Sequence, residues 1–250
     1  MINFLSFQFT MMDLLLVGSV ALMIGMAKTG IHGAGMAAVP LLAIVFGGKL
    51  SSGIMLPILS IADIFAVIYY HRHADWGHLV RLFPWAALGV LLGTFIGELI
   101  NDQAFRIIMG IIIIVSLGIM VWKERSSSED IPKGRWFAIL MGILGGFTTM
   151  VGNLAGSVMA LYLLTMRMPK NQFIGTAAWF FMIINWFKIP FHVFVWETIT
   201  WHSFLLDLTL TPFIAVGAYL GIVIIRQIPE LYYRWFVIAM TAVAGTFMIF

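Results

Sequence analysis

Ala27-Lys28-Thr29-Gly30-Ile31-His32-Gly33-Ala34-Gly35 and Thr148-Thr149-Met150-Val151-Gly152-Asn153-Leu154-Ala155-Gly156-Ser157 each cut an apolar run in two. The flanking runs cover about 11–28 and 33–47 around the first break, and 136–151 and 154–166 around the second. Beyond each pair lie three longer apolar segments, at 51–70, 79–100 and 104–122, then at 172–196, 203–225 and 232–250. Segments of about 20 apolar residues match the roughly 30 Å of a bilayer's hydrocarbon core. Of the 250 residues, 62% are hydrophobic and only 10% are charged, with a mean hydropathy of +1.02. A soluble domain needs far more polar residues to cover its surface. The reading is an all-α polytopic membrane protein with no soluble domain, its longest polar stretch running from Lys123 to Arg135.

The two groups of five segments repeat in sequence. Pro84, Gly89, Gly93 and Arg106 recur as Pro212, Gly217, Gly221 and Arg234 at an offset of 128. Gly30 and Gly53 recur as Gly152 and Gly175 at an offset of 122, so the spacing between the early and the late matches differs by about six residues between the halves. Matches in order at a fixed period mark internal repeats. The expected organisation is a membrane repeat over 1–122, a linker over 123–135 and a second membrane repeat over 136–250.

Charge placement orients the halves. If each half crosses an odd number of times, Arg72, Arg81, Lys123, Arg125, Lys133, Arg135, Arg167, Lys170, Arg226 and Arg234 share one side, and only Lys49 and Arg106 fall on the other. Four crossings per half would split the same residues evenly. The excess of Lys and Arg on cytoplasmic loops selects the odd count. That inverts the second half, makes the linker cytoplasmic and leaves both termini outside. The paired segments either cross fully or turn back near the midplane, with the same parity; the shortness of 33–47 and 154–166 favours hairpins of short helices. No Lys or Arg precedes Lys28, so a cleavable leader is not expected. The absence of cysteine excludes disulfides and thiolate sites. The net charge of +3 reads as loop placement, not as affinity for nucleic acid.

Glycine-broken segments at matching places in inverted halves point to a transporter's binding site. Unwound backbone at membrane depth must line a cavity or be buried in protein. Helices starting after the breaks would aim their positive ends at the centre, which suits a small anion. The expected substrate-binding set is Lys28, Thr29, Gly30, His32, Gly33 and Gly35 from the first break, Thr149, Gly152 and Asn153 from the second, and Asn185 with Lys188 from the 172–196 segment. Asn185, Lys188 and His192 fall at i, i+3 and i+7, on one helical face. Asp63 reads as the one acid inside a long span. It is either a partner for Lys28 or Lys188 or a coupling group for protons. His32 could bind the anion, move protons or simply pack in the turn. His71, His73 and His78 read as interface residues. Trp76, Trp122, Trp136, Trp196 and Trp201 flank segment ends as an aromatic belt would. Trp179 and Trp186 lie inside a span.

The two Gly-rich breaks (Gly30, Gly33, Gly35; Gly145, Gly146, Gly152, Gly156), the Gly175-Thr176 pair and the runs Gly89-x3-Gly93-x3-Gly97 and Gly217-x3-Gly221 resemble those of the TauE/SafE sulfite exporters, also called toluenesulfonate uptake permeases. The second break carries fewer glycines than that pattern expects. The resemblance covers nearly the whole chain. It implies movement of small sulfur-containing or carboxylate anions across a bacterial inner membrane. Sulfur-anion transporters that rely on cysteine fit poorly.

The leading reading is an alternating-access transporter of a small anion such as sulfite or an organosulfonate. An anion channel uses the same polar groups without alternation. An intramembrane enzyme would need a nucleophile with its base or a metal cluster, and no such motif is present. The expected partners are a small anionic substrate and the lipid bilayer. Proton coupling and a homodimer are left open, and neither a cofactor nor nucleic acid is expected.

Overall fold

The computed structural model describes residues 2–4, 7–31, 34–46, 48–97, 99, 111, 114–122, 125 and 135–249. The helices are α1 (Met11–Lys28), α2 (Ala34–Phe46), α3 (Gly48–Tyr70), α4 (Trp76–Gly97), α5 (114–122), α6 (Arg135–Gly152), α7 (Ala155–Thr165), α8 (Lys170–Phe194), α9 (Trp201–Thr209), α10 (Thr211–Gln227) and α11 (Glu230–Ile249). The sequence does not announce one feature. An antiparallel pair, β1 (Ile2–Phe4) and β2 (Phe7–Phe9), precedes α1, and Phe7 and Phe9 pack edge-on against Phe46 at 5.6 and 5.8 Å.

Among the described residues, Met11–Lys28, Leu50–His73, Trp76–Gly97, Arg135–Gly152 and Lys170–Phe194 are long and apolar enough to cross a membrane. The pair α9 and α10 qualifies together, bent by 48° at a short break. This corrects the expectation that both segments beside each break are short. The helices leading into the breaks, α1 and α6, have 18 residues each, about 27 Å at 1.5 Å per residue. Only α2 and α7, with 13 and 11 residues, fall short of a span.

At the centre, α3 and α8 run antiparallel. Gly175, early in α8, packs against the Tyr70 carbonyl and the His73–Ala74 backbone beyond α3, while Gly53, early in α3, packs against Thr198 beyond α8. On one flank α1 crosses α10, where Gly25 meets the Ile214 carbonyl and Gly217 meets the Leu22 carbonyl. On the other flank α4 crosses α6, where Gly89 meets the Ile143 carbonyl and Gly146 meets the Ala86 carbonyl. A side chain at any of these glycines would strike backbone, so the crossings depend on small residues, as in membrane helix packing generally.

The outer faces of α4 and α10 expose Leu92, Phe95, Val216 and Tyr219, an apolar surface suited to lipid. Trp76, Trp122, Trp136 and Trp201 are exposed as a belt requires. Trp196 is not: it is buried, packs edge-on against His192 at 5.0 Å and donates its indole N–H to the Thr94 carbonyl at 3.2 Å. His78 is more than a loop residue, since its Nδ1 lies 2.6 Å from the Tyr162 hydroxyl.

Candidate functional site

The two breaks end their helices in different ways. After α1, the Ile31 N–H bonds the Met26 carbonyl at 3.2 Å and the Gly30 N–H bonds the Ala27 carbonyl at 3.4 Å. This is a Schellman closure, and it requires the left-handed backbone that Gly30 adopts at φ 132°. After α6, the Asn153 N–H bonds the Thr149 carbonyl at 3.0 Å, with Asn153 at φ 56°. Asparagine is among the few side-chain-bearing residues that take this conformation readily. Here the side chain also has a task that glycine could not perform.

That task is to hold Lys188. The ammonium of this wholly buried lysine donates to Asn153 Oδ1 at 2.6 Å, to the Thr149 carbonyl at 2.9 Å and to Thr149 Oγ1 at 3.1 Å. Asn153 Nδ2 in turn reaches the Ser52 carbonyl and hydroxyl, both at 3.3 Å. All three acceptors around Lys188 are neutral.

One helical turn back on the same face of α8, Asn185 donates to Asp63 Oδ2 at 2.6 Å. The other carboxylate oxygen of Asp63 lies 2.9 Å from the Lys28 ammonium. Lys28 also sits 4.0 Å above the Phe181 ring, a favourable cation–π placement. Of the two lysines, Asp63 pairs with Lys28. Asp63 is fully buried and the Lys28 side chain is 10% exposed. A polar chain therefore runs from the first break through Lys28, Asp63 and Asn185, then along α8 to Lys188 and into the second break. The buried carbonyl oxygen of Asn185 has no hydrogen-bond partner among the described residues. His192, a turn beyond Lys188, bonds Thr198 through Nδ1 at 2.8 Å, and its Nε2 has no partner among the described residues.

Other members of the expected set stand apart from this chain. The Thr29 hydroxyl faces the backbone of Gly25, Met26 and Ala218 at 3.0 to 3.3 Å, tying α1 to α10. Gly30 packs toward Ile225 and Ile174. Gly35 lies against Ala27, and Gly152 is buried at the end of α6. His32 and Gly33 lie outside the described residues. Sequence reasoning missed Ser52 and Phe181, for which no pattern gave a signal. It also missed a second buried acid, Asp207 on α9, which lies inside the 203–225 segment and has no hydrogen-bond partner on either oxygen among the described residues. Asp63 is therefore not the one acid within a span.

Toward the far end of α3 and α8 opens a cavity of about 420 Å³ lined by Tyr69, Tyr70, His73, Lys170, Asn171, Ile225 and Arg226. Arg226 donates to the Tyr69 hydroxyl. Lys170 closes the end of α10 by donating to the carbonyls of Ile228 at 2.6 Å and Ile225 at 3.3 Å. The Ile225 side chain lies 2.7 Å from where a Cβ on Gly30 would sit. Ile225 thus stands between this basic cavity and the break that carries Lys28.

Comparisons with curated proteins and with solved structures return no match. A family profile described as Sulfite exporter TauE/SafE matches residues 14–248, taking in both breaks, the α3–α8 pair and every residue of the polar chain. The chain belongs to the TauE/SafE sulfite exporter family, a family of membrane transporters.

Proposed function

We propose that this protein carries a small anion, sulfite or a related sulfur-containing or carboxylate anion, by alternating access around Lys188. The observation that carries the reading is the unequal pairing of two buried lysines. Asp63 is engaged by Lys28 and Asn185, whereas Lys188 is held by neutral oxygens alone among the described residues. A buried cation without a counter-ion is unfavourable in a membrane interior, and an anion beside Asn185 and Lys188 would supply the missing charge. The two lysines thus divide the work: Lys28 neutralises Asp63, and Lys188 faces the anion.

Alternation needs two related halves. Residues 1–122 and 136–250 as inverted repeats are supported by reciprocal contacts: α1 crosses α10 as α6 crosses α4, and Gly53 and Gly175 each pack beyond the opposite central helix. The charge split supports a cytoplasmic position for the 420 Å³ cavity, with both termini outside. A periplasm-specific reporter fused after Phe250 should be active. Activity of a cytoplasm-specific reporter at that position would refute the topology.

The family is one of transporters, and an enzyme is not favoured by any residue of the polar chain. Carrier and channel differ in one measurement. With the protein in liposomes loaded with unlabelled sulfite, labelled external sulfite should accumulate transiently above its external concentration, since a carrier exchanges one for the other. Sulfite entry without such overshoot would indicate a channel. No entry of sulfite, an aryl sulfonate or a small carboxylate would overturn the assignment of substrate.

A further inference from the structure

We propose that Asp207 is a proton-binding site of this transporter, its carboxyl holding a proton at the bend between α9 and α10 and exchanging it with water once per transport cycle. The proposal rests on the transporter reading above. It starts from the burial of Asp207: the residue is 0% exposed and neither side-chain oxygen has a hydrogen-bond partner among the described residues. A carboxylate in that condition is strongly unfavourable in an apolar interior, whereas a carboxylic acid is neutral. Sodium in place of the proton would need several oxygen ligands, and no described side chain offers any to Asp207.

The groups packed around α9 leave the site to this one side chain. On α3 the titratable residues are Lys49, whose side chain is outside the described set, Asp63, which is taken up with Lys28, and Tyr69 and Tyr70 at the far end. On α10 they are Tyr219, which is exposed, and Arg226, also at the far end. On α9 itself His202 is exposed. Asp207 has no role in capping either, since the start of α9 is closed by Thr200 and Ser203.

Packing does not require the carboxyl. At the offset of 128 its counterpart is Leu79, a buried apolar residue on α4. The bend supplies the means of exchange. α9 and α10 meet at 48° with Pro212 in the first turn of α10, so a change in that angle is the simplest motion that would wet Asp207. The step is a plain acid dissociation: the O–H bond of the acid breaks, the electron pair stays on the carboxylate, and the proton passes to water on the side to which the bend opens.

Two measurements test this. In infrared difference spectra of the lipid-reconstituted protein between neutral and alkaline pH, the wild type should show a carboxylic C=O band that Asp207→Asn lacks and Asp63→Asn retains. This arm needs no substrate, so it stands even if sulfite is not carried. In liposomes, a gradient of one pH unit should shift steady-state sulfite accumulation about tenfold per coupled proton in the wild type. Asp207→Asn should leave that ratio near one while keeping sulfite exchange. A C=O band that persists in Asp207→Asn, or full response of that variant to the pH gradient, overturns the proposal.

Discussion

Replacing Asp63 with alanine should destabilise the protein by about 3–5 kcal/mol, the usual loss when one partner of a buried ion pair is removed. The substitution strands the Lys28 ammonium, which sits 2.9 Å from the carboxylate and is otherwise flanked by the Phe181 ring. It also removes the acceptor of the Asn185 amide. The combined change Lys28→Met with Asp63→Leu should recover most of that loss, because apolar residues of similar volume replace buried pairs at little cost. Unfolding of the purified variants in one detergent at one protein concentration measures both. If Asp63→Ala unfolds like the wild type, the ion pair is not a structural element of the core.

Lys188→Ala should weaken anion binding by about 1.5–3 kcal/mol, the worth of a hydrogen bond to a charged group, which is roughly 10- to 150-fold in affinity. Its three acceptors, Asn153, Thr149 and the Thr149 carbonyl, are neutral, so removing the lysine leaves hydrogen-bond acceptors unfilled but no stranded charge. Lys188→Arg should not restore binding, since a planar fork cannot replace a compact ammonium within that cage. Lys28→Ala should act mainly on stability, through Asp63. Calorimetric titration with sulfite separates the two. Equal losses of affinity at Lys28 and Lys188 would return both lysines to the substrate, and wild-type affinity in Lys188→Ala would place the site elsewhere.

The helices were legible because hydrocarbon length and apolar runs constrain each other: the ten segments read from sequence recur within a few residues where the structure describes them, apart from the division of 203–225 at its bend. The shared face of Asn185, Lys188 and His192 was legible for the same reason, since helical period alone determines it, and all three are buried. Which lysine Asp63 would choose was not. That depends on how α1 and α8 approach α3, which no local pattern encodes. Asp207 escaped notice because a single acid in an apolar run resembles a residue near a helix end until burial is known. Trp196 reads as a belt residue from its place near the end of a segment. The chain beyond α8 instead folds back so that Trp196 covers His192.

Asp63 and Asn185 are 122 residues apart, the same spacing that relates Gly30 to Gly152. In the repeat reading, each is therefore touching its own counterpart, and the contact lies on the axis between the halves. An assembly of two separate, identical halves would have to put the same side chain on both sides of that axis. Two aspartates would face each other across a hydrogen bond's length, where both cannot be ionised at once. Two asparagines would come with Met150 in the place of Lys28, so no ion pair could form at the centre. Joining the halves in one polypeptide lifts that restriction, because an acid can then oppose an amide. A protein made by duplicating either half alone would lose the charge pattern at its centre while keeping every helix crossing.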